Sequence, residues 1–122
     1  MEINAENDKP YVFLNKNTCN LTIKGKSYPT HALEFYNPIE DKSMNFINDD
    51  ICENLTITLY LEIMNSISTK CIFSLIKNVS EIKNVVINWY YESDDEDIRE
   101  EGKHFSDLLP KTIFKLIKVE VN

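Results

Sequence analysis

The chain is 122 residues long, enough for one ordinary domain and too short for two. Apolar residues make up 43% and charged residues 27%, a globular mix. Thirteen basic residues against twenty acidic ones leave a net charge of −7, so there is no basic face to displace counterions from a nucleic acid.

Glycine occurs only at Gly25 and Gly102, which excludes the glycine-rich loops that cradle nucleotide phosphates. Cys19, Cys52 and Cys71 match no zinc spacing and read as three reduced thiols. The N-terminus is acidic and has no apolar leader, and no apolar run is long enough to span a bilayer. The expected location is therefore cytoplasmic, with no membrane insertion and no nucleic-acid partner. Three Asn-X-Ser/Thr triplets, at Asn20, Asn54 and Asn78, are then chance matches.

In chain order, residues 1–9 read as a flexible N-terminus and 10–122 as the domain. Tyr11–Leu14 and Cys19–Gly25 read as an antiparallel hairpin around an Asn-Lys-Asn turn. Residues 26–37 look irregular. Asn37 suits an N-cap and Pro38 a first helical position, so a helix is expected over 38–52, with Ile39, Met44, Phe46, Ile47 and Ile51 inward. Residues 55–64 alternate as a strand. Cys71, Ile72, Leu75, Ile76 and Val79 mark a helix over 67–81. Residues 85–91 form a near-continuous apolar run, as expected of a strand covered on both faces. A third helix follows at 95–109, with Ile98, Phe105, Leu108 and Leu109 inward and Ser93 or Asp94 as its cap. Ile113 to Val121 gives a last strand. The order β-β-α-β-α-β-α-β implies an α/β fold with a mixed, mostly parallel sheet and an antiparallel hairpin at its edge.

Three features could carry function. Asn65-Ser66-Ile67-Ser68-Thr69-Lys70 lies where a strand's carboxyl end meets a helix start, a place that favours negative charge. A phosphoryl group there is one reading; a plain helix cap by Asn65, Ser66 or Ser68 is the other. Glu92 to Glu101 holds seven acids and one base. It reads as a solvated helix start or as a docking face for a basic partner. A calcium loop does not fit, because its glycine and spacing are missing. Trp89-Tyr90-Tyr91 must send alternate rings to opposite faces, some into the core and some toward a cover. His31 and His104 sit in no nucleophile motif, so no catalytic residues, metal or cofactor are expected.

Taken together, Gly25-Lys26-Ser27-Tyr28-Pro29, Ala32 to Pro38, the Asn65-Ser66 junction with Lys70, Val86 to Tyr91, and Asp94-Asp95-Glu96-Asp97 through Gly102 and Phe105 resemble the SiaC family of bacterial regulatory phosphoproteins. The resemblance runs over about residues 10–116. It implies a single STAS-like domain that is not an enzyme. It implies phosphorylation on a hydroxyl after the central strand by a partner-switching protein kinase, and removal by a PP2C-type phosphatase. It also implies an effector bound by the unphosphorylated form, a diguanylate cyclase in the characterised branch, which links the switch to cyclic-di-GMP and biofilm formation. The family's threonine acceptor corresponds to Ser66, with Ser68 and Thr69 as alternatives, and Ile67 replaces a small hydroxyl residue. The expected partner contacts are Asn65, Ser66, Ile67, Ser68, Lys70, Trp89, Tyr91, Asp94, Asp95 and Asp97. The reading from another class is an acidic adaptor that is never phosphorylated and binds a basic protein.

Overall fold

The longest alternating stretch forms a central strand, and the rest of the sheet grows outward from it. In the computed structural model, which describes residues 1–48 and 52–121, the elements are β1 (Glu2–Ile3), β2 (Tyr11–Asn15), β3 (Asn20–Ser27), α1 (Ala32–Asn48), β4 (Asn54–Met64), α2 (Ser66–Ser80), β5 (Asn84–Glu92), α3 (Glu96–Leu108) and β6 (Ile113–Val119). The strands lie side by side in sequence order. β1, β2 and β3 pair antiparallel; β3 to β6 pair parallel.

Three right-handed crossovers stepping in one direction place their helices over the same face of a sheet. Burial agrees. Register aligns Leu21 with Ile57 and Ile87, and Ile23 with Leu59 and Trp89, and all six are buried. The intervening Thr22, Thr56, Thr58, Tyr60, Asn88 and Tyr90 are only half-buried. Tyr60 and Tyr90 stack there at 5.7 Å. The covered face meets Tyr36, Ile39, Phe46 and Ile47 of α1, Ile72, Leu75, Ile76 and Val79 of α2, and Ile98 and Phe105 of α3.

Several expectations are corrected. α1 begins at Ala32 rather than 38, and Pro38 lies inside it. Ala32, Tyr36, Ile39, Ser43, Phe46 and Ile47 form one continuous buried stripe across the proline. Burying Tyr36 and Ile39 outweighs the one backbone bond that proline cannot make. The last residues of the expected helix fall partly on 49–51, including Ile51, and these lie outside the described residues. Leu108 is exposed and Leu109 is buried. The last strand stops at Val119. Segment 1–9 carries β1, and Tyr28 N donates to Asp8 O at 2.9 Å.

Ile63 is exposed although the alternation points it inward. The register explains this: Gly25 pairs with Leu61 but Lys26 pairs with Ile63, so β4 gains one residue and the phase flips. Gly25 has φ 111°, a conformation open to glycine and strained for other residues.

The three-thiol reading is also corrected. Cys19 and Cys52 are joined in a disulfide, with Cα atoms 5.9 Å apart. Cys19 immediately precedes β3 and Cys52 lies two residues before β4, and because these strands are parallel neighbours the fold brings both cysteines to the same end of the sheet. Cys71 is free and buried, and burial pushes its thiol pKa up, with the charge of Glu40 adding to the effect.

Gly102 holds α3 against the sheet. A Cβ there would lie 2.5 Å from Trp89 Nε1 and 2.7 Å from Leu116 Cδ2. Trp89 cannot yield freely, because its Nε1 donates to Ile98 O at 3.0 Å. Gly102→Ala is expected to destabilise the fold by about 1–3 kcal/mol, measured by urea unfolding; an unchanged midpoint contradicts this packing.

Candidate functional site

The carboxyl end of β4 turns directly into α2, and Asn65 makes the turn. Its extended backbone lets Oδ1 accept from Ser68 N at 2.9 Å, which caps the helix. Its own N–H donates to Ser27 O at 3.1 Å, tying the cap to the end of β3. Asn65 is thus held by the fold on both sides.

The three candidate hydroxyls separate by burial. Ser66, the first residue of α2, is exposed. Ser68 is fully buried. Thr69 is half-buried, and its Oγ1 donates to Asn65 O at 2.9 Å. Ser68 is corrected from an accessible acceptor and contact to a core residue, because it ends a buried chain of hydroxyls. Ser27 Oγ donates to Ser68 Oγ at 2.9 Å and lies 2.5 Å from Tyr36 Oη. With Ser27's one proton on Ser68, Tyr36 donates the second bond. This chain joins β3, α1 and α2 beneath Ser66, and burial pushes the Tyr36 pKa well up.

Exposed apolar residues occur at this end of the sheet. Tyr28, Leu33, Ile63 and Ile67 are 41–61% exposed. Ile63 ends β4. Tyr28 follows Ser27, which pairs with Met64. Leu33 and Ile67, in the first turns of α1 and α2, line one shallow recess with Thr30, His31 and Glu34. Single exposed apolar residues mean little, but Leu33 and Ile67 in one recess next to Ser66 mark a contact surface. Of the four exposed residues only Ile67 was legible as a contact. The other three come from separate elements whose shared end of the sheet is set by the fold.

The acidic segment starts α3 one strand over, at the same end of the sheet. Its cap is Asp95, not Ser93 or Asp94: Asp95 Oδ1 accepts from Ile98 N at 3.1 Å. Ser93 instead accepts from Val121 N through Oγ at 3.2 Å. Asp94, Glu96, Asp97 and Glu100 are exposed. Arg99 pairs with Glu96 and Glu100 on the open surface, where such pairs contribute little. Trp89 is corrected from a partner contact to core: it is 1% exposed, its centroid 5.0 Å from that of Phe105. Tyr91 is half-buried against the core, and Lys70 is exposed one turn beyond Ser66. His31 and His104 lie apart, at the head of α1 and on α3. Among the described residues no three metal-ligating side chains converge. No helix of the described residues is long and apolar enough to cross a membrane.

Solved structures share this architecture. A chain in the crystal structure of the diguanylate cyclase SiaD in complex with its activator SiaC, from Pseudomonas aeruginosa, superposes with a TM-score of 0.85 at 20% identity, over 99% of this chain and 99% of that one. The apo-SiaC crystal structure from the same organism matches with a TM-score of 0.77 at 21% identity, over 97% and 96%. A further SiaC structure from that organism gives 0.79 at 19% identity, over 99% and 98%. At these identities the likeness defines a class of small α/β domain. No curated protein matches the sequence. The sequence model of the SiaC family of regulatory phosphoproteins matches residues 3–119, and the chain belongs to that family.

The hydroxyl chain has a pH signature. Tyrosine ionises near 10.0 in the unfolded chain and higher here, so the folded state keeps the proton longer. The stability tied to this group is complete below about pH 10 and is lost as pH climbs from there toward the raised folded value. Tyr36→Phe is expected to cost about 1–2 kcal/mol at neutral pH and to flatten the alkaline fall in stability. Urea unfolding from neutral to alkaline pH checks both; parallel curves for the two proteins contradict the assignment.

Proposed function

We propose that this chain is a phosphorylation-controlled partner switch with Ser66 as the acceptor. The observation that carries the reading is the separation of the three hydroxyls: Ser66 alone among Ser66, Ser68 and Thr69 is exposed, and it stands at a helix N-terminus next to Ile67, which lines a shallow recess with Leu33. The unmodified form packs this end of the sheet against an effector, with Asn65, Ile67, Lys70, Tyr91, Asp94, Asp95 and Asp97 as the contacts around Ser66. A protein kinase transfers the γ-phosphoryl of ATP to Ser66 in the cytoplasm, and a PP2C-type phosphatase hydrolyses it. The chain acts as a regulator and catalyses no reaction itself.

The chemistry is electrostatic. A phosphoryl group adds about −1.5 to −2 charges at neutral pH. The start of α2 carries no acid in its first turn, so the helix tolerates the new charge and the fold need not change. A partner seated on Tyr28, Leu33, Ile63 and Ile67 must instead desolvate that charge, at a cost of several kcal/mol. Losing about 3 kcal/mol weakens binding more than a hundredfold. The effector proposed is a diguanylate cyclase. The support is family membership and the solved complex in which SiaC is the activator of the cyclase SiaD.

The test has two arms. Incubation with the cognate kinase and ATP, followed by peptide mass spectrometry, is expected to place one phosphate on Ser66 and none on the buried Ser68. In titrations with the cyclase, Ser66→Ala is expected to bind as the unmodified protein does and Ser66→Asp at least tenfold more weakly. Equal affinity of the two variants overturns the switch.

A further inference from the structure

β6 ends the sheet, and none of the described residues pairs with its outer edge. The opposite edge is blunted, because β1 is two residues long. β6 runs for seven residues, Ile113-Phe114-Lys115-Leu116-Ile117-Lys118-Val119, a row of open backbone groups that folded proteins normally cover or disrupt.

The direction of each backbone group follows from one bond. Val119 O accepts from Ser93 N at 2.8 Å, so Val119 turns inward to the neighbouring chain. The N–H and C=O of a strand residue leave on one side, and the side alternates along the strand. Ile113, Lys115 and Ile117 therefore bond to β5, and Phe114, Leu116 and Lys118 turn their backbone groups outward. Leu116 is both an outward residue and the midpoint of the strand.

We propose that β6 pairs antiparallel with β6 of a second copy about a two-fold axis at Leu116. In that register every outward N–H and C=O finds a partner. Leu116 meets Leu116 of the second copy and Phe114 meets Lys118. On the helix-free face Lys115 meets Ile117, and Ile113 meets Val119. No lysine faces a lysine. Centring the axis on Lys115 or Lys118 sets like charges directly opposite, which is unfavourable. The lysines thus exclude those two registers, and among the rest the axis at Leu116, the midpoint of the strand, is the one that pairs all seven residues of β6. Ile113 and Leu116, 60% and 39% exposed, are the large apolar side chains this pairing covers. A second copy fits better than an unrelated strand because the edge is complementary to itself under two-fold symmetry, the commonest symmetry of assemblies.

The experiment is sedimentation of the full chain over a wide range of protein concentration. The mass is expected to rise from 14.3 kDa toward twice that value. Ile117→Lys places lysine opposite Lys115 of the second copy at two symmetric positions and is expected to weaken association about tenfold. Adding Lys115→Glu sets opposite charges across the same positions and is expected to restore it. Both residues lie on the helix-free face, and unchanged thermal unfolding of each variant confirms the fold. In hydrogen exchange, the amides of Phe114, Leu116 and Lys118 are expected to gain protection with concentration, and those of Lys115 and Ile117 to be protected throughout. A monomer at all concentrations, an unaffected Ile117→Lys, or a double variant that stays as weak overturns the proposal.

Discussion

Parallel strands that step in one direction across a sheet leave their connecting helices no choice of face. That constraint organises everything else in this molecule. It divides the sheet into a face sealed by α1, α2 and α3 and a face of threonines, asparagine and stacked tyrosines. It also brings the starts of the three helices to one end, where the strands run out. Leu33, Ile67 and Asp95 belong to three different helix starts, and their gathering at one end is a product of connectivity. Ligand sites of open α/β sheets collect at strand carboxyl ends for the same reason.

Beneath that end lies a polar floor. A sealed core tolerates hydroxyls only when each is paired, and Ser27, Tyr36 and Ser68 satisfy one another. The floor holds the cap of α2 in place while leaving Ser66 without a role in the packing. A side chain free of structural duty can gain a bulky, charged group with little effect on the core below. The proposed switch depends on this division: rigid hydroxyls inside, one spare hydroxyl outside.

Much of this was legible in the sequence, and the failures have physical causes. Alternation found β4 because its one sealed face imposes period two, and Asn65-Ser66 was read as a helix start because asparagine caps helices. Pro38 misled because local backbone preference was weighed above the apolar stripe running through it. Trp89 was read as a surface contact because an aromatic run does not say which ring faces the helices; register with Ile23 and Leu59 does. Ser68 looked like a second acceptor because its burial depends on Ser27 and Tyr36, which are remote from it in sequence. The residues Ser27 and Tyr36 stood within the segments that carry the family resemblance, so the pattern was visible before its purpose was. Tyr28 and Leu33 stood in the same segments, but nothing there marked them or Ile63 as exposed, since each is an ordinary apolar residue until the sheet assembles.

The Cys19–Cys52 crosslink sits at the end of the sheet away from Ser66, and its effect extends to the unfolded chain. The two cysteines are 33 residues apart, so the link closes a ring that contains all of β3 and α1. A ring of that size removes about 3–4 kcal/mol of disorder from the denatured ensemble on chain-entropy grounds. When the protein unfolds, the beginnings of β3 and β4 cannot drift apart. The parallel pairing with the longest sequence reach in the first half of the chain is already closed at one end. Parallel pairing is slow because distant segments must first meet. An oxidised chain therefore begins refolding with its hardest encounter already made, and a reduced one must find it by diffusion.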